Sequence, residues 1–474
     1  MVRVGIASLV GPSFWGSSKD LFRKQYLPQM KALSDKHKFE LCIWQEDITN
    51  ASEGEKALDF LESQNVDFIL LQVTSFAAGD VINPFVRAKA RLGLWAIPEG
   101  ETEGAIPLNS FCGVNMLVSI LGQFLDRQKQ VKWFYGDIDA PMFADRFAVT
   151  IRAMKGLKRM EGAKIGLVGG IAPNFTDFQF DERLTRKKLG VTVDRLPEFG
   201  DIKARALGYK DVSGKIEEYT KGFACVTDKA KDSMEMTVRV YMAFEDLIKE
   251  GGYDAIAIGC WPKYRKEFGI VVCNIIGRLL ETGYMAACEG DVDSAASMLM
   301  MEGITGDMPM LMDLSDIDIK SQSALLWHCG SAPNRFADKQ GTQIDSHYKP
   351  GSRIPGDDGI PVGTVSDMYF KSEPITIARF TWDYEQMLLL EGTLREGPSK
   401  GFCGSRGWFG DIKMAKRGVS VEDMINTIMV QRFQHHYPVA LGHIDDEVME
   451  CMEWLGVKPL KTVPYRNHMQ NILF

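Results

Sequence analysis

Four short apolar runs between residues 256 and 330 end in side chains that can do chemistry. Residues 256–260 run into Cys260-Trp261-Pro262, 285–288 into Glu289-Gly290-Asp291, 310–312 into Asp313, and 325–327 into His328-Cys329-Gly330. Ligands of open parallel sheets sit beyond the carboxyl ends of the strands, so four parallel strands would open all these groups on one edge. A carboxylate directly after the apolar run 284–288 is costly to bury unpaired, which makes Glu289 the sharpest of the set. Glu289 reads either as a functional group or as a cap for free N–H groups of the next helix; Asp291 reads first as such a cap. Asp313 has neighbours of its own kind at Asp316 and Asp318 and, taken alone, is equally a turn residue.

Further on, Gln434-His435-His436-Tyr437 carries the only adjacent pair among seven histidines. Strand alternation would send the two rings to opposite faces, so one of them at most serves a given site. The competing reading is a hydrogen-bonded core histidine, which applies to His328 as well, while His347 reads as a surface residue. Two carboxylates and one imidazole make a donor set for Mn2+ or a similar divalent ion, open on the substrate side and needing no sulfur.

The elements that must position these groups follow from periodicity. Up to about residue 150, β-rich runs at 2–9, 39–44, 67–73, 92–97 and 131–135 alternate with helical patterns at 19–34, 53–63 and 115–127. Such alternation predicts a parallel sheet with helices on both faces. A second unit of the same kind starts near 160, with strands expected at 164–168, 191–196, 254–260, 285–288, 310–314 and 324–328. After about 335 the chain becomes rich in Gly, Pro and Asp, with short alternating strands such as 376–382 and 386–391, the pattern of an antiparallel β domain. The expected architecture is α/β: two Rossmann-like parallel-sheet domains, 1–160 and 161–335, then a C-terminal antiparallel β-rich domain, 336–474. The second carries the carboxylates and the third the histidine.

Composition removes several functions. The 474 residues carry 55 basic and 63 acidic side chains, a net charge of −8, and no long Lys/Arg block, so nucleic acid is a poor partner. Nowhere do 18 apolar residues run together, which argues against a membrane span. Nine cysteines form an odd set without C-x-x-C, which excludes a zinc ribbon and suits reduced thiols in a cytoplasmic protein. No two glycines stand one residue apart, so G-x-G-x-x-G is absent, and so is the P-loop pattern. Gly166-Leu-Val-Gly-Gly170 reads as a phosphate cradle or as a turn that permits close packing. Gly401, Gly404, Gly407 and Gly410 mark a loop in which Arg406 and Trp408 offer a sugar a hydrogen-bond fork and a flat face, or serve only as surface structure.

Ala255-Ile-Ala-Ile-Gly-Cys-Trp-Pro262, then Tyr284-Met-Ala-Ala-Cys-Glu-Gly-Asp291 with Ser294-Ala-Ala-Ser-Met298, resembles the L-fucose isomerase and L-arabinose isomerase superfamily. The resemblance extends through Met310-Leu-Met-Asp313, Leu326-Trp-His-Cys-Gly330 and His435-His436, with Gln72–Phe76 and Ser110–Gly113 in the first domain. It implies a Mn2+-dependent ketol isomerase, other divalent ions being chemically admissible. Glu289, Asp313 and His436 would be the metal ligands, and Glu289 and Asp313 the acid and base that pass a proton between C1 and C2 through a cis-enediol. His328 falls where arabinose isomerases have a further ligand and fucose isomerases do not. Trp261, His328, Arg406 and Trp408 would contact the sugar. The substrate would be L-fucose, D-arabinose, L-arabinose or a modified acidic hexose such as sulfoquinovose, with Arg406, Lys461 or Arg466 receiving an anionic C6 group. Family members assemble as trimers or hexamers with shared sites, so Trp15, in Gly11-Pro-Ser-Phe-Trp15, would complete a neighbour's pocket. A non-catalytic sugar-binding or regulatory protein is the alternative of another class, because paired Rossmann-like lobes also build binding modules.

Overall fold

The opening run of the chain is apolar on both faces, as a strand covered on two sides must be, and it forms the strand β1 (Arg3–Leu9) inside a parallel sheet. The computed structural model describes residues 1–100, 103–124, 130–196, 199–347, 362–399, 401–466 and 469. Residues 1–158 and 159–474 are its two compact units. In the first, β1 is joined by β2 (Glu40–Ile48), β3 (Phe68–Val73), β4 (Arg91–Ala96) and β5 (Val131–Tyr135) in the order β2-β1-β3-β4-β5, all parallel. Helix Ala51–Ser63 starts where Asn50 Oδ1 accepts a hydrogen bond from the Glu53 N–H at 3.1 Å. The helix expected at 115–127 runs Ser110–Phe124; its last three expected residues lie outside the described ones.

The second unit holds two sheets. β6 (Lys164–Val168), β7 (Thr192–Leu196), β9 (Ala255–Ile258) and β10 (Met285–Ala287) form a parallel sheet in the order β10-β9-β6-β7; the two-residue β8 (Cys225–Val226) lies elsewhere. The remaining strands are β11 (Met310–Asp318), β12 (Ser323–His328), β13 (Gln343–His347), β14 (Val362–Tyr369), β15 (Pro374–Phe380), β16 (Gln386–Arg395), β17 (Ser405–Met414), β18 (Arg417–Gly418), β19 (His436–Leu441) and β20 (Lys458–Pro459). Pairing of β16 with β17 closes β16-β15-β19-β11-β12-β17 into an antiparallel barrel-like ring. Closure removes the exposed edges of those strands. Met310, Met312, Leu326, Ile377, Leu390, Phe409 and Val439 are buried in one core cluster of this domain.

One expectation is corrected here. Residues 310–328 do not extend the parallel sheet: β11 and β12 are an antiparallel hairpin inside the ring, Asp313 opposite Trp327. The reason is geometric. Only a few residues separate the two strands, whereas a parallel connection needs a crossover of about a dozen or more. The change from parallel to antiparallel sheet therefore comes before β11, not near 335. Among the described residues, no helix is long and apolar enough to cross a membrane.

Candidate active site

Glu289 owes its position to three glycine turns packed against one another. After β6, Gly169 and Gly170 take φ of 75° and 78°. The Gly170 carbonyl comes so close to Gly290 that a Cβ there would lie 2.6 Å from its oxygen, and Gly259 is tighter still. The close-packing reading of Gly166–Gly170 is thus the one the turn fulfils. Glu289 itself has φ of +60°, a left-handed conformation that costs a side-chain-bearing residue energy and tends to mark functional sites. It is pinned by Ala172 N–H donating to the Glu289 carbonyl (3.0 Å) and Gly290 N–H donating to Ile258 (2.9 Å). The carboxylate is thereby aimed beyond the end of β10.

The barrel supplies the other groups. In the β11–β19 register Asp313 stands directly opposite His436, while Met312 and Tyr437, one step on, are buried in the core cluster. His328 ends β12, its ring centroid 5.7 Å from that of His436. One ligand atom from each of Asp313, His328 and His436 falls within 4.8 Å of the others, and the same holds for Glu289, His435 and His436. Glu289 Oε2 is 3.3 Å and Asp313 Oδ1 3.8 Å from His436 Nε2. Glu289 Oε2, Asp313 Oδ1, His328 Nε2 and His436 Nε2 are all buried without a hydrogen-bond partner among the described residues. Such orphans are expensive, and Glu289 Oε2, Asp313 Oδ1 and His436 Nε2 are the atoms a divalent ion would bind, a set that suits a hard-to-borderline ion. His328 differs: its Nδ1 accepts from the Cys329 N–H at 2.9 Å, which leaves the ring proton on Nε2.

Behind His436 the situation reverses. Its Nδ1 lies 2.9 Å from Asp291 Oδ2. Asp291 also accepts from Ser294 N–H (2.9 Å) and Ser294 Oγ (2.7 Å), and from both guanidinium arms of Arg379, at 2.5 and 3.2 Å. So Asp291 caps the helix Val292–Thr305 as expected, and the same carboxylate orients the imidazole. Burial works against its charge, but Arg379 and His436 hold the Asp291 carboxyl well below the usual carboxylate range. An ionised acceptor at Nδ1 places a proton there and turns Nε2 towards Glu289.

The two front carboxyls are driven apart. Burial opposes charge on Glu289, yet the imidazoles of His435 and His436 hold it down at about 2. At Asp313 burial outweighs His328 and His436, and its pKa is raised. Although burial disfavours the cation, Asp313 pushes His328 up to about 10. The two carboxyls thus differ in how tightly they hold a proton.

In front of these groups lies a cavity of about 530 Å³, lined among others by Glu289, His328, Trp261, Phe175, Lys266 and His347. Trp261 and His328 both line this cavity. His347, read as a surface residue, is 6% exposed and forms part of the wall. His435 corrects another expectation: both histidines of the pair reach Glu289, His435 Nε2 at 3.4 Å. Alternation does not apply, because β19 starts only at His436. The other ring nitrogen of His435 meets Asp177 Oδ2 at 2.7 Å, and Phe178 packs against both rings.

Arg406 and Trp408 do not join the site. Arg406 faces inward, bonded to Asp367 Oδ1 (2.5 Å) and the Gly404 carbonyl (2.6 Å), its guanidinium 4.0 Å from the Tyr369 ring centroid. Trp408 donates to the Ser399 carbonyl and lines a different cavity with Tyr369 and Arg395. Both sit in β17, a regular strand rather than the loop the glycine spacing suggested. Neither Lys461 nor Arg466 lines the Glu289 cavity; Lys266 is the one Lys or Arg among its described lining residues. Trp15 belongs to the first unit, 40% exposed, with Lys19 Nζ 5.5 Å from its ring. Of the residues the sequence reading missed, Arg379 left a trace: an arginine inside the apolar run 375–380 must have a buried partner. Asp177 and Lys266 left none.

Fold and site together define a metal-capable pocket between a parallel sheet's carboxyl edge and a β-barrel. The curated relatives are more specific. Sulfoquinovose isomerase of Priestia megaterium is 24% identical over 428 residues, covering 87% of this chain and 89% of the relative. The sulfoquinovose isomerase of Alkalicoccus urumqiensis is 24% identical over 389 residues (81% and 83%), and that of Clostridium sp. 22% over 376 (77% and 79%). Similarity of this breadth supports an enzyme of the sugar isomerase class. No family model matches the chain, so the likeness to the fucose and arabinose isomerases rests on the sequence segments alone. A solved galactofuranose binding protein covers 65% of this chain and 91% of its own at 14% identity, with a TM-score of 0.16, too slight a likeness to carry an argument.

Proposed function

We propose that this protein is an aldose–ketose isomerase that works with a divalent ion, Mn2+ by preference, on an aldose bearing an anionic group at C6. Glu289, Asp313 and His436 would hold the ion; His328, whose Nδ1 accepts from the Cys329 N–H at 2.9 Å, keeps a proton on Nε2 and stands beside the set as a hydrogen-bond donor. The observation that carries this reading is that buried, unpaired oxygens of Glu289 and Asp313 stand 3.3 and 3.8 Å from the equally unpaired His436 Nε2, with Glu289 lining the cavity. When bound, the ion would polarise two neighbouring sugar oxygens and make the C–H alpha to the carbonyl more acidic. The protein's own groups do the rest. Glu289 and Asp313 move the proton between C1 and C2 by way of a cis-enediol, one as base and the other as acid. His436 is kept in a single tautomer by Asp291, and Trp261 and Phe175 wall the sugar from water.

The relatives' substrate favours a sulfonated hexose over L-fucose, D-arabinose or L-arabinose, and Lys266, which lines the cavity, would meet the sulfonate. From the family resemblance we add that the enzyme is cytoplasmic and assembles as a homo-oligomer, hexamer or trimer, in which Trp15 completes a neighbour's site. Sedimentation of the active protein tests the assembly; full activity in a monomer would refute it. A panel of aldoses, sulfoquinovose and other acidic hexoses included, incubated with Mn2+ and assayed for ketose, tests the activity. Ketose formed from sulfoquinovose is expected; failure with every aldose would return the protein to the non-catalytic sugar-binding class.

A further inference from the structure

The cavity that holds the orphan cluster has a second wall, made of thiols. Cys260 follows β9 and Cys288 follows β10, and both line the cavity. Parallel pairing of the two strands, Ala257 beside Ala287, brings them off the sheet together, and their Sγ atoms are 3.3 Å apart. Both cysteines are free; Cys288 is buried and Cys260 is partly open. The two sulfurs and a carboxylate oxygen of Glu289 all fall within 4.8 Å of one another. Glu289 therefore belongs to two donor groups at once, one of oxygen and imidazole nitrogen and the other of two sulfurs and an oxygen. Such sets differ in softness and select different ions. Cys273 and Cys329 also line the cavity, but they pack with Val271, Val365 and Trp261 in an apolar cluster. No three-ligand group among the described residues includes them.

We propose that Cys260, Cys288 and Glu289 form a second cation site, for a thiophilic divalent ion of the zinc and cadmium class, which takes Glu289 from the Mn2+ set. Binding forms two metal–sulfur bonds and releases both thiol protons to solvent, with no change of oxidation state. Metal–sulfur bonds of about 2.3 Å put two sulfurs of a tetrahedral ion roughly 3.8 Å apart, so the thiols need to separate only slightly. The soft-ion site does not depend on the isomerase reading; only its competition with Mn2+ does.

Cd2+ titrated into the whole protein, kept reduced by a non-thiol reductant, gives a near-ultraviolet thiolate-to-cadmium absorption that reports the bonds directly. The first equivalent is expected to bind at least tenfold more tightly in the wild type than in Cys260→Ser or Cys288→Ser, and as tightly in Cys329→Ser as in the wild type. It should also release bound Mn2+, seen as the return of the free-ion paramagnetic signal. An absorption unchanged in Cys260→Ser, or lost in Cys329→Ser instead, would overturn the proposal. Circular dichroism confirms folding; if Cys288→Ser does not fold, Cys260→Ser, at the more open position, decides alone. A protein that never binds Mn2+ but keeps the sulfur-dependent absorption would refute the hard-ion reading and leave this site standing.

Discussion

The two sides of the His436 ring make a controlled comparison inside one molecule. On the Nδ1 side, Asp291, Arg379 and Ser294 form a buried network in which the Asp291 oxygens are used several times over. On the Nε2 side, Glu289 Oε2, Asp313 Oδ1 and His436 Nε2 itself are buried with no hydrogen-bond partner among the described residues. Both sides are charged and enclosed, so burial alone does not set them apart. The first is complete, and the second leaves its donor atoms unpaired. A fold that had merely tolerated buried charge would have closed both sides, because each orphan atom costs of the order of 1–3 kcal/mol.

That contrast is broken first at the front. Glu289→Gln should lower kcat by roughly 10³-fold or more while leaving the thermal midpoint close to wild type, since it removes an ionisable group and keeps the shape. Retained turnover, measured as ketose formed, would remove Glu289 from its role. At the back, Asp291→Ala should act mainly on the fold: it strands the buried Arg379 cation and costs about 3–5 kcal/mol in denaturant unfolding. Asp291→Asn keeps a hydrogen-bonding group at Nδ1 but not the charge. It is expected to lower metal affinity by roughly 10–100-fold, read by equilibrium dialysis. An Asp291→Asn variant with unaltered metal affinity would mean that the back wall only holds the fold together.

Away from the ring the effects shrink. Lys266→Ala should raise KM for a C6-anionic aldose by roughly tenfold, with kcat nearly unchanged, and leave a neutral aldose unaffected. An equal loss on both would show that Lys266 does not read the charge. The smallest effect concerns Asp293, which burial chiefly pushes up to about 7 despite the Arg379 charge, and which Tyr384 Oη contacts. Its folded pKa lies above the ordinary 3.8, so the native state holds the proton more tightly. Stability from this group is present at low pH and falls as the pH climbs from about 4 to about 7. Asp293→Asn should flatten that part of the stability profile in chemical denaturation, and a profile as steep as wild type would contradict it.

The same contrast explains what the sequence made legible. Glu289, Asp313 and His436 stand out because each ends or begins an apolar run, where a polar side chain needs a reason. Asp291 was visible as a cap, but its second partner is 145 residues away and no spacing rule reaches that far. The barrel was underestimated because its first strand, Met310-Leu-Met, looks like a buried parallel strand; the short link to β12 was the available signal. Arg406 and Trp408 misled because glycine every third residue imitates a loop. In β17 two of those glycines instead admit neighbours: a Cβ on Gly407 would meet the Phe370 ring, and one on Gly410 the Arg395 guanidinium.

Deuterium exchange from solvent into the sugar tests the account most directly, read by mass spectrometry on sulfoquinovose with the protein stripped of metal, reloaded with Mn2+, or carrying Glu289→Gln. One deuteron incorporated at C1 or C2 is expected only with the reloaded wild type, and none in the other two. Exchange that persists after chelation, or in the Glu289→Gln protein, would contradict it.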